Sequence, residues 1–319
     1  MAETDSDRGR TAKRPREMPK AAWRDILIRT WNESGSDNIG LISAGVAFYG
    51  FLAFVPTLAA LVFCYGLFAD PATIAGHLQS LFRLLPEEAA RLIGEQLLAV
   101  VNTGNDKKGF GLILSLALSI YGAMNGASAI VTAVNIAYDE EESRSFIKLT
   151  MLACVMTLAL LLAGIIAIFA IAALAFLEHL MPGAPAILIT VIRIGFWILA
   201  ALAASMLLST IYRFAPDRKR ARWRWLTPGS LFATMGWLAV SLGFGIYASN
   251  FGNYGATYGA LSAVVVTLMW LYLSAYILIL GAELNSEIEH QTAEDTTVGR
   301  PKPMGQRDAY VADTVGKVP

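Results

Sequence analysis

Six stretches of the chain are almost continuously apolar: Leu41 to Phe68, Phe110 to Ala137, Leu149 to Leu177, Ala184 to Tyr212, Pro228 to Ser249 and Ala260 to Ala282. A helix rises about 1.5 Å per residue and the hydrocarbon core of a bilayer is about 30 Å thick, so about 20 such residues cross it. Lipid satisfies no backbone polar group, and an α-helix satisfies its own. The pattern therefore predicts an all-α integral membrane protein with six transmembrane helices. Lys20 to Trp31 differs: Trp23, Ile26, Leu27, Thr30 and Trp31 share one helical face, with Asp25 and Arg29 opposite. That spacing predicts an interfacial helix over 20–33, within a membrane domain of residues 21–287. Asp70 to Lys108 is too polar to cross. It predicts two amphipathic helices, the second opening on Pro86, Glu87 and Glu88, residue types suited to a helix N-terminus. Together they form an expected periplasmic cap over 69–108.

Basic residues orient the bundle, because short cytoplasmic loops retain Lys and Arg. Arg213, Arg218, Lys219, Arg220, Arg222 and Arg224 crowd one loop, whereas Glu178 to Pro182 and Asn250 to Tyr258 contain none. Both termini are thus expected in the cytoplasm and the cap outside, in an inner (plasma) membrane. Segments 1–20 and 288–319 are polar and expected to be disordered tails, and the first shows no signal-peptide core. Composition agrees with lipid as solvent: 55% of residues are hydrophobic and 16% charged, against about 25% charged in soluble domains. The formal net charge is zero, so no overall field recruits nucleic acid.

Candidate chemistry is sparse. Cys64 and Cys154 each lie in an apolar run, so neither a disulfide framework nor a metal knuckle is expected. His77, His179 and His290 have no metal-ligand spacing, and no phosphate loop or nucleophile elbow occurs. No cofactor and no catalytic residue is expected. Asp139, Glu140, Glu141 and Glu142 could attract a cation but read as a solvated turn.

Within the spans, Gly122 and Gly126 stand at the spacing that lets helices pack closely. Beside them runs a polar stripe of Asn125, Ser128, Thr132 and Asn135, whose amides and hydroxyls need partners or water. Arg193 is the one fully charged residue well inside a span. A guanidinium there costs at least about 2.5 kcal/mol unless it snorkels, pairs or lines an aqueous path, and the snorkelling and functional readings both stay open. Asn253 and Tyr254 belong to an uncharged outer loop, either a turn at headgroup level or a segment lining a cavity. Glu283 is expected to pair with Arg213 and fasten the cytoplasmic face.

Several segments resemble the YihY/BrkB family of bacterial inner-membrane proteins, historically also labelled ribonuclease BN. They are Asp37-Asn-Ile-Gly40, Ala47-Phe-Tyr-Gly50, Gly122 to Ser128, Asn135-Ile-Ala-Tyr138, Arg144-Ser-Phe146, Tyr212 to Pro216, Trp225 to Gly229, Tyr247 to Gly252, Trp270 to Ser274 and Gly281-Ala-Glu-Leu-Asn285. The resemblance covers about Trp23 to Glu287. It implies six spans and an envelope role associated with virulence, and supplies no catalytic residue. Metal-dependent nuclease chemistry would need clustered ligands to activate water, and the sequence offers none. The expectation is therefore a transporter-like protein handling an anionic lipid or amphipathic solute along Arg193, Asn125, Ser128, Thr132, Asn135, Asn253 and Tyr254. The alternative is a non-catalytic scaffold whose partner is a second copy or another membrane protein.

Overall fold

A computed structural model describes residues 8–68, 105–181, 183–250 and 260–319. Most of the expected cap, and the loop with Asn253 and Tyr254, lie outside the described residues. Among those described are eight α-helices: α1 (Lys20–Ser36), α2 (Ile39–Phe68), α3 (Asn105–Ala137), α4 (Phe146–His179), α5 (Ala186–Phe214), α6 (Trp223–Asn250), α7 (Ala260–His290) and α8 (Tyr310–Asp313). No strand occurs among them, and one isolated antiparallel bridge joins Ala221 to Thr297.

Five helical stretches among the described residues are long and apolar enough to cross a membrane: Leu116–Ala137, Phe146–Gly164, Ala186–Phe214, Trp223–Tyr247 and Val264–His290. A shorter apolar stretch, Ile39–Ala53, lies in α2. The outer faces carry large exposed apolar side chains, such as Val155, Leu158 and Phe169 on α4 and Leu199, Leu202 and Met206 on α5. Helix faces this apolar are stable against lipid rather than water. The chain is a multi-pass, all-helical membrane protein.

Two compact units make up the chain: residues 1–43, 130–240 and 274–319 form the first, and residues 44–129 and 241–273 the second. In the second, Gly122 of α3 lies against α2 so closely that a Cβ would stand 2.8 Å from the Ala53 Cα. Gly126 faces the Tyr49–Gly50 backbone one turn away. Small residues permit this approach, and the contact is within the chain. Trp270 of α7 donates to the Ser241 hydroxyl of α6 at 3.2 Å.

The first unit is rich in polar contacts. Asn38 and Asp139, with φ of 54° and 53°, follow the ends of α1 and α3. Short polar side chains tolerate this left-handed backbone, which stops a helix and turns the chain. A core of Ala12, Met18, Ala22, Ile26, Trp225, Leu284 and Ile288 ties the N-terminal segment to α1, α6 and α7.

The face that α1 packs inward carries charged as well as apolar residues. Ala22, Asp25, Ile26, Arg29 and Thr30 point inward, while Leu27 and Trp31 are 57% and 72% exposed. The reason is electrostatic: Arg8 reaches Asp25 at 2.8 Å, and Arg29 finds several acceptors on α7 and the C-terminal segment. Residues 8–20 and 288–319, within the segments expected as disordered tails, make hydrogen bonds to each other and within the C-terminal segment. Arg10 donates to the Gln291 and Gly316 carbonyls, and Arg307 to those of Ala293, Glu294, Lys302 and Ala312.

Candidate functional site

Six of the segments that carry the family resemblance contribute residues to one polar junction in the first unit. Its neutral part is a helix lock. Asn285 on α7 accepts from the Gly229 N–H at 2.7 Å and donates to the Leu226 carbonyl at 2.9 Å. Gly229 and Gly281 allow α6 and α7 to touch, since a Cβ on Gly229 would run into the Gly281 carbonyl and the Asn285 amide. The Tyr212 hydroxyl donates to the Leu278 carbonyl at 2.7 Å, so α5 joins the same seam. Ser205 and Ser209 of α5 meet Ser230 of α6 at 3.1 and 2.7 Å.

A charged part surrounds the lock. Arg29 donates from Nε to Glu287 at 2.5 Å and from Nη2 to Gln291 Oε1 at 2.7 Å. Arg218 donates to Glu289 at 2.9 Å, with side-chain exposures of 1% and 0%, and lies 4.9 Å from the Tyr138 ring centre. Burying such charges is tolerable only because each meets its counter-charge and further hydrogen bonds. Burial, assisted by the Glu289 charge, pushes the Tyr138 phenol well above its ordinary range.

The turn after α3 is part of this network rather than solvated alone. Asn135 accepts from the Asp217 N–H at 2.7 Å and donates to Glu142 at 2.9 Å. Arg144 clasps Glu142 and the Ala215 carbonyl, and Ser143 donates twice to Asp217. The Arg144 hydrogen bond holds the Glu142 carboxyl below its ordinary range. Glu140 accepts from the Tyr310 N–H at 2.9 Å, which brings in the C-terminal segment.

Two charge clusters in this unit are not neutralised. Asp37, in the turn between α1 and α2, and Glu283 of α7 lie beside each other. Glu283 is 2% exposed and its Oε1 has no hydrogen-bond partner. Burial pushes Asp37 above the ordinary aspartate range, and Asp139 shifts the same way through burial and the charge of Asp37. The second cluster is Arg213 and Arg220. The expected Glu283–Arg213 ion pair is not formed: Arg213 stacks 4.5 Å over the Trp223 ring. Successive residues on a helix stand about 100° apart, and Tyr212 occupies the position that faces α7, so Arg213 is directed elsewhere.

The remaining expected site residues are dispersed. Arg193 is exposed on α5 among exposed Val191, Ile194 and Trp197. Thr132 is exposed and Asn135 buried, both in the first unit, whereas Asn125 and Ser128, each half-buried, belong to the second. The sequence reading missed Arg29, Glu287, Arg218 and Glu289. Their signal was available in charges at one helical end of an apolar run, but partners 71 to 258 residues apart are not paired by spacing. A cavity of about 350 Å³ opens between the N-terminal segment, the start of α6 and the C-terminal segment, lined by Lys13, Arg14, Glu17, Arg222, Arg224, Glu294, Asp295 and Pro301. Its charges are mixed, and Arg222 and Asp295 are engaged by backbone groups of the C-terminal segment. Among the described residues no group of three or more His, Cys, Asp or Glu could hold a metal ion.

Residues 30–305 match the family described as "Virulence factor BrkB". A Bacillus subtilis protein named "Putative ribonuclease-like protein YfkH" is 31% identical over 187 residues, covering 58% of this chain and 68% of that one. No solved structure matches. With most of its length inside the family match, this chain belongs to the BrkB virulence-factor family.

Proposed function

We propose that this protein is a non-catalytic, transporter-like component of the bacterial inner membrane that handles an anionic lipid or amphipathic solute, in a six-span topology with both termini cytoplasmic. The observation that carries the reading is Arg193, a guanidinium displayed outward among apolar side chains on α5. Its planar fork matches a phosphate or carboxylate, the groups that an anionic amphiphile would bring to an apolar helix face. A ribonuclease function fits less well, because hydrolysis through an activated water needs a ligand set that the described residues do not offer. The scaffold alternative loses part of its support where Gly122 and Gly126 spend their small faces on α2 of the same chain.

The test is translocation of a fluorescent anionic phospholipid in liposomes, read with a membrane-impermeant quencher. Protein-dependent movement that drops at least tenfold in Arg193→Ala is expected. Movement no faster than in empty liposomes, or unaltered by the substitution, would remove the basis of the proposal.

A further inference from the structure

The end of α5 and the start of α6 bring two guanidiniums onto two aromatic rings. Arg213 lies 4.5 Å from the Trp223 ring centre and 5.6 Å from that of Phe214, and Arg220 lies 4.7 Å over Phe214. The two rings meet edge to face at 6.4 Å. No carboxylate pairs with either arginine among the described residues, and Arg213 Nε and Nη1 are buried without an acceptor. Arg220 is exposed. Two cations held around one ring repel each other, and an anion beside them would relieve that repulsion.

Position selects the anion. The apolar stretches Ala186–Phe214 and Trp223–Tyr247 end and begin at these residues, so the cluster stands where hydrocarbon gives way to headgroups. On the Arg213 face of α5, Met206 and Leu202 are 68% and 56% exposed. On α6, Leu231 and Met235 are 45% and 57% exposed. At about 1.5 Å per residue, Leu202 lies roughly 16 Å below Arg213, which is acyl-chain depth.

We propose that Arg213 and Arg220, seated on Phe214 and Trp223, bind the phosphate of an anionic glycerophospholipid whose acyl chains run along Met206 and Leu231. Guanidinium forks donate in pairs to phosphate oxygens, which a zwitterionic headgroup masks with its own cation. This site rests on the reading of the chain as a handler of anionic amphiphiles, and it concerns binding, which is measured apart from movement.

The purified full chain in detergent is titrated with phosphatidylglycerol or phosphatidylcholine carrying brominated acyl chains, and quenching of tryptophan fluorescence reports occupancy. Tighter binding of phosphatidylglycerol is expected, weakened about fivefold by Arg220→Gln and further by Arg213→Gln, with phosphatidylcholine unaffected. Arg220 is exposed, so its variant tests the site without disturbing the fold; Arg213→Lys, which keeps charge but loses the stacked fork, is expected to fall between. Equal binding of the two lipids, or an unchanged preference in both Arg220→Gln and Arg213→Lys, overturns the proposal. So does displacement of phosphatidylglycerol by inorganic phosphate beyond that caused by chloride at equal ionic strength, which would mark a site for free phosphate. A protein that keeps the lipid preference but moves no lipid would defeat the transport reading and leave this site standing.

Discussion

At the scale of single residues, the Asp37–Glu283 contact is where protonation bears on stability. Asp37 is raised above its ordinary value chiefly by burial, and Asp139 by burial and then by Asp37 itself. A raised carboxyl contributes stability in full below its unfolded value, near pH 4, and loses that contribution as pH rises through the folded value. The polar junction is therefore expected to loosen between mildly acidic and neutral pH. Melting in detergent at pH 5 and pH 7.5 checks this: wild type should melt higher at pH 5, and Asp37→Asn should narrow the difference. Glu142 works in the opposite sense. Its carboxyl is lowered by Arg144, so its contribution is present above the ordinary glutamate value and lost as pH falls through the lowered one. The acidic residues were visible in the sequence as helix-end charges. That two of them would share a contact was not, because Asp37 precedes α2 and Glu283 lies on α7.

Among the elements, α6 and α7 show what a small residue decides. Gly281 faces Ala233, the Gly229 carbonyl and the Tyr212 hydroxyl, with a built Cβ 2.7 to 2.8 Å from all three. Two of these atoms are hydrogen-bonding groups in a packed seam, so neither side can yield cheaply. Gly281→Val is expected to cost at least the 1–3 kcal/mol typical of overpacking, read as a lowered melting temperature. An outward-facing change of similar size, Ala203→Val on exposed α5, should leave it within about 0.5 kcal/mol of wild type. Hydropathy located both helices, and the Gly281 to Asn285 motif marked the seam without saying what it touches. For α1 the apolar spacing favoured the Trp23–Trp31 face. Asp25 and Arg29 turn inward, where Arg8 and Glu287 supply the counter-charges that burial requires.

Across the whole molecule, the C-terminal segment is fastened within the first unit. Arg222 N–H donates to Thr296 O and Val298 N–H to Arg220 O, and Gly316 N–H to His290 O. Truncation after Ala293 would remove the Thr296 hydroxyl from Glu289 and the Lys317 carbonyl from Arg29. The shortened chain is expected to melt several degrees lower and to be cleaved faster by protease in the 213–224 loop. Equal resistance would show that this packing is dispensable.

The class was legible in the order of residues alone: apolar runs of about 20 residues are stable in lipid as helices, whatever lies next to them. It also determined the family, through motifs that are local strings. Which charges meet is set by the folded arrangement of the helices. Arg29 with Glu287, Arg218 with Glu289, and Arg213 with Trp223 instead of Glu283 each depend on how one helix is rotated against another. Rotation is set by the packing of many side chains at once, and no spacing along a single segment encodes it.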